Sequence, residues 1–205
     1  MTNEQAKALG YNMEAHLKYK KALIALILSQ PFSGTLATWL QEIEDKTAQT
    51  AWTDGVNIGY NPDYIMKISA DQLKGLICHE VMHVALLHHT RIQNREPKKW
   101  NIAGDAAINP LIPFPLPPGG INIPQFHEKS AEEIYSLLPD MPKGGSGGKN
   151  PGEVRQYPKK SKTAIKQEEI EQKINQQQAL KAAKIQGKLP AGLERLINDN
   201  CESTV

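Results

Sequence analysis

The chain has 205 residues, 40% of them hydrophobic and 22% charged, and a formal net charge of +2 at pH 7. This length favours one domain of about 140 residues with an appendage. No apolar run approaches the roughly 20 residues that span a bilayer, so we predict no membrane-spanning helix. The N-terminus lacks the pattern of a secretory signal, and Cys78 and Cys201 offer no disulfide framework, so we expect a cytoplasmic location.

Two helices are predicted in the first part of the chain. Thr2 and Gln5 form a capping-box pattern that opens the first helix, and Pro31 fits the first turn of the second. Apolar residues recur at helical spacing in both segments, which predicts their buried positions. These positions are Leu9, Met13, Leu17, Leu23 and Ile27 in the first helix, and Phe32, Leu36, Trp39, Leu40 and Ile43 in the second.

A predicted β-hairpin leads into the most informative helix. The pair Asp54-Gly55 joins two short β-prone segments, the second ending at Tyr60, which is typical of a tight turn between antiparallel strands. Ser69 and Gln72 form a second capping box. We predict an active-site helix from this box to about Thr90.

Shorter helices and a polar tail are predicted in the second half of the chain. One helix begins near Asn101 and must end before Pro110, because the residue before a proline avoids the helical region. Another covers 131–138, and Ser130 with Glu133 forms the capping box that opens it. The Gly, Ser, Lys and Pro composition of 141–162 predicts a disordered linker, and 163–205 is predicted to be a polar helical tail.

The active-site helix carries an HExxH motif, His79-Glu80-Val81-Met82-His83. Side chains four positions apart lie on one helix face, roughly 6 Å apart, so both imidazoles can bind one Zn²⁺. Glu80 follows the first ligand and can accept a proton from a water that the metal activates. The alternative is a helix on which the two histidines only pack or face solvent.

A catalytic zinc needs a third protein ligand. His89 has the spacing of the third histidine in the HExxHxxGxxH pattern, but Leu86 stands where that pattern has a helix-breaking glycine. On an unbroken helix His89 lies about 9 Å from His83 and cannot reach the same metal. We therefore predict surface or helix-end positions for His88 and His89.

Asp105 is the stronger candidate for the third ligand. It is a lone carboxylate in an otherwise apolar helical segment, 22 residues after His83. Burial of an unpaired carboxylate is costly, so its presence there indicates a partner. The alternative is an aspartate that faces solvent or pairs with Arg91.

Several other polar residues are weaker candidates. His127 and Glu128 lie in a predicted loop that could approach the site, and His16 is expected to be a packed or surface residue of the first helix. Cys78 is expected to be a small buried hydrophobe, since it points about 100° away from His79. Two tyrosines are candidates for stabilising an oxyanion, Tyr60 and Tyr64.

These residues resemble a known family, the "putative metallopeptidase" domain of bacteria and their phages. The stretches that carry the likeness are 53–55, 60–62, 79–84, 88–91 and 100–109. The resemblance covers about residues 10–140, so we place the domain at residues 1–140. It implies an α+β, zincin-like fold that is mostly helical, with a small β-hairpin or sheet beside the HExxH helix.

The same resemblance implies a site. His79, His83 and Asp105 are then the zinc ligands and Glu80 is the general base. In that family a von Willebrand A-like domain often follows, whereas this chain ends at Val205, so we expect either a stand-alone or a truncated form.

The leading functional hypothesis is a zinc-dependent metallopeptidase that hydrolyses peptide bonds with metal-activated water. By fold analogy, the predicted hairpin offers a strand edge to an extended peptide substrate. The alternative is a non-catalytic zinc-binding interaction module. A third hypothesis is a protein partner bound through the basic segment 141–205, which has 12 Lys and Arg against 7 Asp and Glu. Residues 163–186 lack the interleaved aromatics that stack on nucleic acids, so we expect no nucleic-acid partner.

Overall fold

Helices dominate the protein, and side chains cap several of them. The computed structural model describes residues 10–140, 153–155 and 162–188, with positions 193, 195 and 197. Ser69 and Gln72 cap each other's backbone at the start of the longest buried helix, as predicted. The helices are α1 (Met13–Ser29), α2 (Pro31–Trp39), α3 (Pro62–Lys67), α4 (Ala70–Ala85), α5 (His88–Arg91), α6 (Pro97–Ile108), α7 (Ala131–Leu137) and α8 (Lys162–Ile185), with 3₁₀ turns at Asn109–Leu111 and Pro124–Phe126.

The first two helices differ from the prediction in their buried faces and bounds. The capping box at Thr2 and Gln5 lies outside the described residues. Leu17 is 51% exposed, because α1 buries a neighbouring stripe. Helix α2 ends at Trp39, and Ile43 belongs to a strand, because tertiary strand pairing outweighs helical spacing there. The buried stripe of α1 is Ala15, Tyr19, Ala22 and Leu26.

A small sheet lies beside α4. Its strands are β1 (Gln41–Glu44), β2 (Ala51–Thr53), β3 (Asn57–Tyr60) and β4 (Glu153–Val154), in the order β1-β3-β2-β4. Strands β2 and β3 form the predicted antiparallel hairpin, while β1 pairs with β3, and β4 with β2, in parallel.

The hairpin turn depends on two residues. The carboxylate of Asp54 accepts hydrogen bonds from the backbone N–H groups of Val56 and Asn57, at 3.0 and 2.7 Å. Gly55 has a φ of +93°, a conformation that L side chains rarely adopt. Asp54 and Gly55 therefore determine this turn, as the Asp-Gly pair predicted.

Described parts of the predicted linker and tail pack on the domain. Residues 153–155 lie within the expected linker, yet two of them form β4. Helix α8 packs against α2 and α4, and Gln172 donates to the carbonyl of Gly55 and Gln176 to that of Ala85. Apolar residues of the tail join the main core; they are Ala179, Leu180, Ala183, Leu193 and Ile197.

The core has a main part and two smaller clusters. The main cluster joins α1–α4, the sheet and α8, whereas the smaller ones join α6, α7 and the loop between them. The fold is thus α+β and mostly helical. Helix α4 faces α6 where these clusters meet. No helix within the described ranges combines the length and apolar composition that a membrane crossing requires.

Candidate metal centre

Two histidines of α4 and one aspartate of α6 meet between the two helices. His83 Nε2 lies 3.1 Å from His79 Nε2 and 3.1 Å from Asp105 Oδ1, and His79 Nε2 lies 3.5 Å from the same oxygen. All three side chains have 0% exposure. The alternatives of solvent-facing histidines and a solvent-facing aspartate are therefore wrong. Arg91 does not pair with this aspartate; it forms an ion pair with Glu132.

The donor set fits a divalent metal. A tetrahedral ion with ligand bonds of about 2.0–2.1 Å holds its ligand atoms about 3.3 Å apart, close to the distances observed here. Both carboxylate oxygens of Asp105 are buried, and the two histidine Nε2 atoms face its Oδ1. Two imidazole nitrogens and a carboxylate oxygen thus converge on one point, and together they could hold a metal ion.

A hydrogen bond sets the orientation of the first imidazole. His79 Nδ1 lies 2.8 Å from Asn109 Oδ1, and the amide nitrogen of Asn109 donates to the carbonyl of Ile121 at 2.6 Å. Because the amide oxygen only accepts, His79 carries its hydrogen on Nδ1. The Nε2 lone pair is then directed towards Asp105, as a metal ligand requires. Asn109 follows Asp105 by four positions, so helical spacing could have identified it.

The second imidazole contacts another histidine. His83 Nδ1 lies 2.9 Å from His88 Nδ1. If Nε2 of His83 is to bind a metal, its Nδ1 carries the hydrogen and His88 accepts it. The predicted surface position of His88 is wrong, since its exposure is only 1%.

A break in the helix brings His88 to this position. We predicted a continuous helix to about Thr90, but α4 ends at Ala85, and Leu87 adopts a left-handed conformation with a φ of 55°. The chain then turns into α5 and directs His88 back towards α4. A leucine is an unusual residue for this conformation, and no local sequence signal predicted it.

The surroundings of His88 hold it in place. Its carbonyl accepts a hydrogen bond from Trp100 Nε1 at 2.8 Å, and the two rings form an edge-to-face pair with centroids 5.7 Å apart. Gly104 permits this approach, because a Cβ at that position would lie 2.8 Å from His88 Nδ1 and 3.2 Å from His83 Cε1.

His89 is also buried, with 8% exposure, so its predicted surface position is wrong as well. It lies against the hairpin turn, where a Cβ on Gly55 would come within 2.4 Å of His89 Nε2. The group that could hold a metal includes His79, His83 and Asp105 but not His89. Its exclusion as a ligand therefore agrees with the structure, although the argument from an unbroken helix was wrong.

Glu80, which directly follows His79 in α4, is fully buried. It lines a small cavity between α4 and the sheet, together with Tyr19 and Tyr60. The tyrosine rings stack with centroids 4.9 Å apart, and the Tyr60 hydroxyl donates to Glu42 at 2.7 Å. Tyr60 is thus engaged with Glu42.

Burial and mutual charge determine the protonation of the cluster. Burial lowers the pKa of His83, although Asp105 opposes this. Burial would also lower the pKa of His79, but the hydrogen bond and charge of Asp105 raise it overall. Burial raises the pKa of Asp105, yet its contacts with His79 and His83 outweigh this and lower it. An ionised Asp105 and a neutral His83 are the forms that bind metals, whereas His79 must release a ring proton when a metal binds.

The weaker candidates lie elsewhere. His127 and Glu128 are exposed, and His127 contacts Asn122 at 2.9 Å. His16 contacts Glu42 of β1 at 2.9 Å. Cys78 is buried as predicted and lies 3.3 Å from the Ser33 hydroxyl. Tyr64 packs against the main core.

Comparisons with known proteins identify a family for this chain. The family model described as "Putative metallopeptidase domain" matches residues 14–163 and 141–205 of the chain. A curated protein of Thermotoga maritima named "Uncharacterized protein" is 33% identical over 140 residues, which cover 62% of this chain and 35% of that protein. No solved structure matches the chain.

Proposed function

The chain belongs to this family of "putative metallopeptidase" domains, and we propose that it is a zinc metallopeptidase of zincin-like fold. The observation that carries the proposal is the convergence of His79, His83 and Asp105 at one buried point beside Glu80. Two nitrogens and one oxygen are the donor types that zinc takes at catalytic sites.

Different side chains would bind the metal ion and transfer the proton. His79, His83 and Asp105 would hold the ion, and Asn109 and His88 would keep the imidazoles oriented. A bound zinc supplies Lewis acidity, which polarises a substrate carbonyl and makes water acidic enough to be deprotonated near neutral pH. Glu80 would take the proton from the attacking water and pass it to the leaving amine.

A site with three protein ligands suits catalysis, because catalytic zinc keeps one position for water or substrate. The complete burial of the ligands and of Glu80 favours a second candidate, a non-catalytic zinc module, since structural zinc sites are closed. For the peptidase, burial means that an element covering the site must move before a substrate enters.

Substitution of Glu80 separates the two candidates. The Glu80→Gln variant should bind zinc like the wild type, because it keeps all three ligands, and should lose peptide cleavage. We expect a loss of at least about 100-fold, the lower range for a general acid–base group. Zinc content and cleavage of a proteome-derived peptide library measure the two effects on the same preparations.

The exposed Glu14 of α1 provides the matched control. Glu14→Gln removes the same charge far from the ligands and should leave both zinc content and cleavage unchanged. If Glu80→Gln cleaves as well as the wild type, Glu80 is not the base. If zinc-loaded wild type cleaves no peptide, the non-catalytic module becomes the better description.

A further inference from the structure

Both edges of the hairpin beside the metal centre are already paired. Strand β1 pairs with β3, and the short strand β4 adds to β2 in parallel. The pairing extends one residue further, where the backbone N–H of Arg155 donates to the carbonyl of Thr53 at 2.8 Å. The strand edge that was predicted to bind a peptide substrate is thus paired with residues 153–155 of the same chain.

This edge lies next to the active-site helix. Strands β2 and β4 both contact α4, the helix that carries His79, Glu80 and His83. A peptide that adds to a sheet edge gains main-chain hydrogen bonds of the kind that β4 makes. Residues 153–155 therefore occupy a sheet edge that contacts the helix of the candidate metal centre.

The side chain of Arg155 is held by a preformed subsite. Its guanidinium lies 2.9 Å from Asp45 Oδ2 and 4.3 Å from the centroid of the Trp52 ring. Trp52 Nε1 donates to the same carboxylate oxygen at 2.8 Å, so the indole and the carboxylate orient each other. A carboxylate beside an aromatic face is a suitable receptor for a planar cation.

Neighbouring residues hold this subsite in place independently of Arg155. Thr47 donates to Asp45 Oδ1 through its backbone N–H at 2.8 Å and also through its hydroxyl. The Trp52 indole lies flat over Gly59, where a Cβ would come within 2.1 Å of the ring. Only glycine allows the indole so close to the strand, so the aromatic face is fixed on the sheet.

We propose that the β2 edge is the substrate-binding strand, that it takes an extended peptide with an arginine in the Asp45–Trp52 subsite, and that residues 153–155 occupy it in cis. The proposal rests on the proposed peptidase function and names its substrate class. If residues 153–155 leave this edge, the main-chain groups of β2 and the arginine subsite become open to a peptide from another protein.

The covalent connection makes the cis segment a strong competitor. A tethered ligand acts at an effective concentration on the order of millimolar, so a separate peptide should bind the wild type weakly. Loss of the Arg155 side chain removes the ion pair and the aromatic contact of the cis segment but leaves the receptor residues intact. Its substitution should therefore open the site.

Peptide binding without cleavage tests this. The probe is a fluorescein-labelled peptide of residues 150–158, Asn-Pro-Gly-Glu-Val-Arg-Gln-Tyr-Pro, titrated into full-length Glu80→Gln protein. Fluorescence anisotropy should show binding about tenfold tighter when Arg155→Ala is added, the effect of losing one such contact from the competitor. Asp45→Asn in that background should abolish the gain.

Two controls keep the outcome clear. Arg95 also stacks on a tryptophan, with its guanidinium 4.8 Å from the Trp100 ring, so Arg95→Ala should leave peptide affinity unchanged. A probe peptide with glutamine in place of its arginine should bind weakly to every variant, including the one with Arg155→Ala. Equal affinity with and without Arg155→Ala, or equal binding of the arginine and glutamine peptides to the Arg155→Ala protein, would overturn the proposal.

Cleavage by zinc-loaded protein distinguishes this proposal from the peptidase function. Cleavage with no preference for arginine peptides in the Arg155→Ala protein would overturn the subsite and keep the peptidase. Arginine-dependent peptide binding to a protein that cleaves nothing would support the peptide site and contradict the peptidase.

Discussion

At the scale of single residues, the candidate site is a set of ligand atoms oriented by neighbours. Asn109 fixes His79 and His88 fixes His83, so each imidazole has one nitrogen engaged and one directed to Asp105. The three candidate ligands and Glu80 were predicted from motif spacing and from one carboxylate in an apolar helix. His88 could not be predicted, because its position depends on the left-handed Leu87 and on the contact with Trp100.

His88 should act as a positioning residue for zinc binding. Loss of its imidazole in His88→Ala should weaken zinc affinity about 10- to 100-fold, the usual effect of removing a partner of a metal-bound histidine. In His88→Asn the amide oxygen can replace Nδ1 as acceptor, so part of the affinity should return. Competition with a chromogenic chelator measures both values.

The exposed His127 supplies the control for this series. His127→Ala should leave zinc affinity at the wild-type value. If His88→Ala does the same while remaining folded, the contact between His83 and His88 has no role in metal binding.

At the scale of elements, the features that depend only on neighbouring residues could be predicted from the sequence. The capping boxes at Ser69 and Ser130 and the Asp-Gly turn are confirmed, because each depends on residues within four positions. Strands β1 and β4 were not predicted, since their few residues become strands only by pairing with β3 and β2. The end of α4 was predicted five residues too late, because tertiary contacts of His88 and His89 outweigh helical spacing.

The Asp45 carboxylate should make part of the sheet's stability depend on pH. Burial raises its pKa, but hydrogen bonds from Thr47, Arg155 and Trp52 outweigh this and hold it well below the usual range. A lowered pKa in the folded state stabilises the protein above the unfolded value of about 4, and this stabilisation is lost as the pH falls.

Asp45→Asn tests that dependence. At pH 7 the substitution should lower the free energy of unfolding by about 2 kcal/mol, typical of hydrogen bonds to a charged group. The difference from the wild type should shrink as the pH falls below about 4, where Asp45 of the unfolded wild type is already protonated. Urea unfolding at several pH values measures it, and a difference that stays constant with pH would contradict the assignment.

At the scale of the whole molecule, the C-terminal helix belongs to the core of the domain. Composition favoured a separate polar tail, because α8 has few large apolar residues. Its attachment depends on Leu180 together with small and amide side chains, with Gln172 and Gln176 bonded to main-chain carbonyls of the hairpin turn and α4. Such contacts leave no periodic hydrophobic signal in a sequence.

Leu180 tests this attachment. It is 4% exposed within the main core, so Leu180→Ala should lower the stability of the domain by about 2–5 kcal/mol. Ile174 lies on the same helix with 52% exposure, and Ile174→Ala should cost less than about 0.5 kcal/mol. Thermal unfolding followed by circular dichroism should show one transition that shifts only for Leu180→Ala; equal shifts would mean that α8 is not part of the core.

The candidate metal centre depends on single residues, on helices and on the whole fold. It forms where α4 from the main core and α6 from the smaller clusters meet at His79, His83 and Asp105. Zinc-edge X-ray absorption of the stoichiometric zinc protein tests it most directly. The account predicts a ligand shell of two imidazoles and light oxygen donors, with one imidazole lost in His79→Ala. A shell with sulfur, or a shell unchanged in His79→Ala, would contradict it.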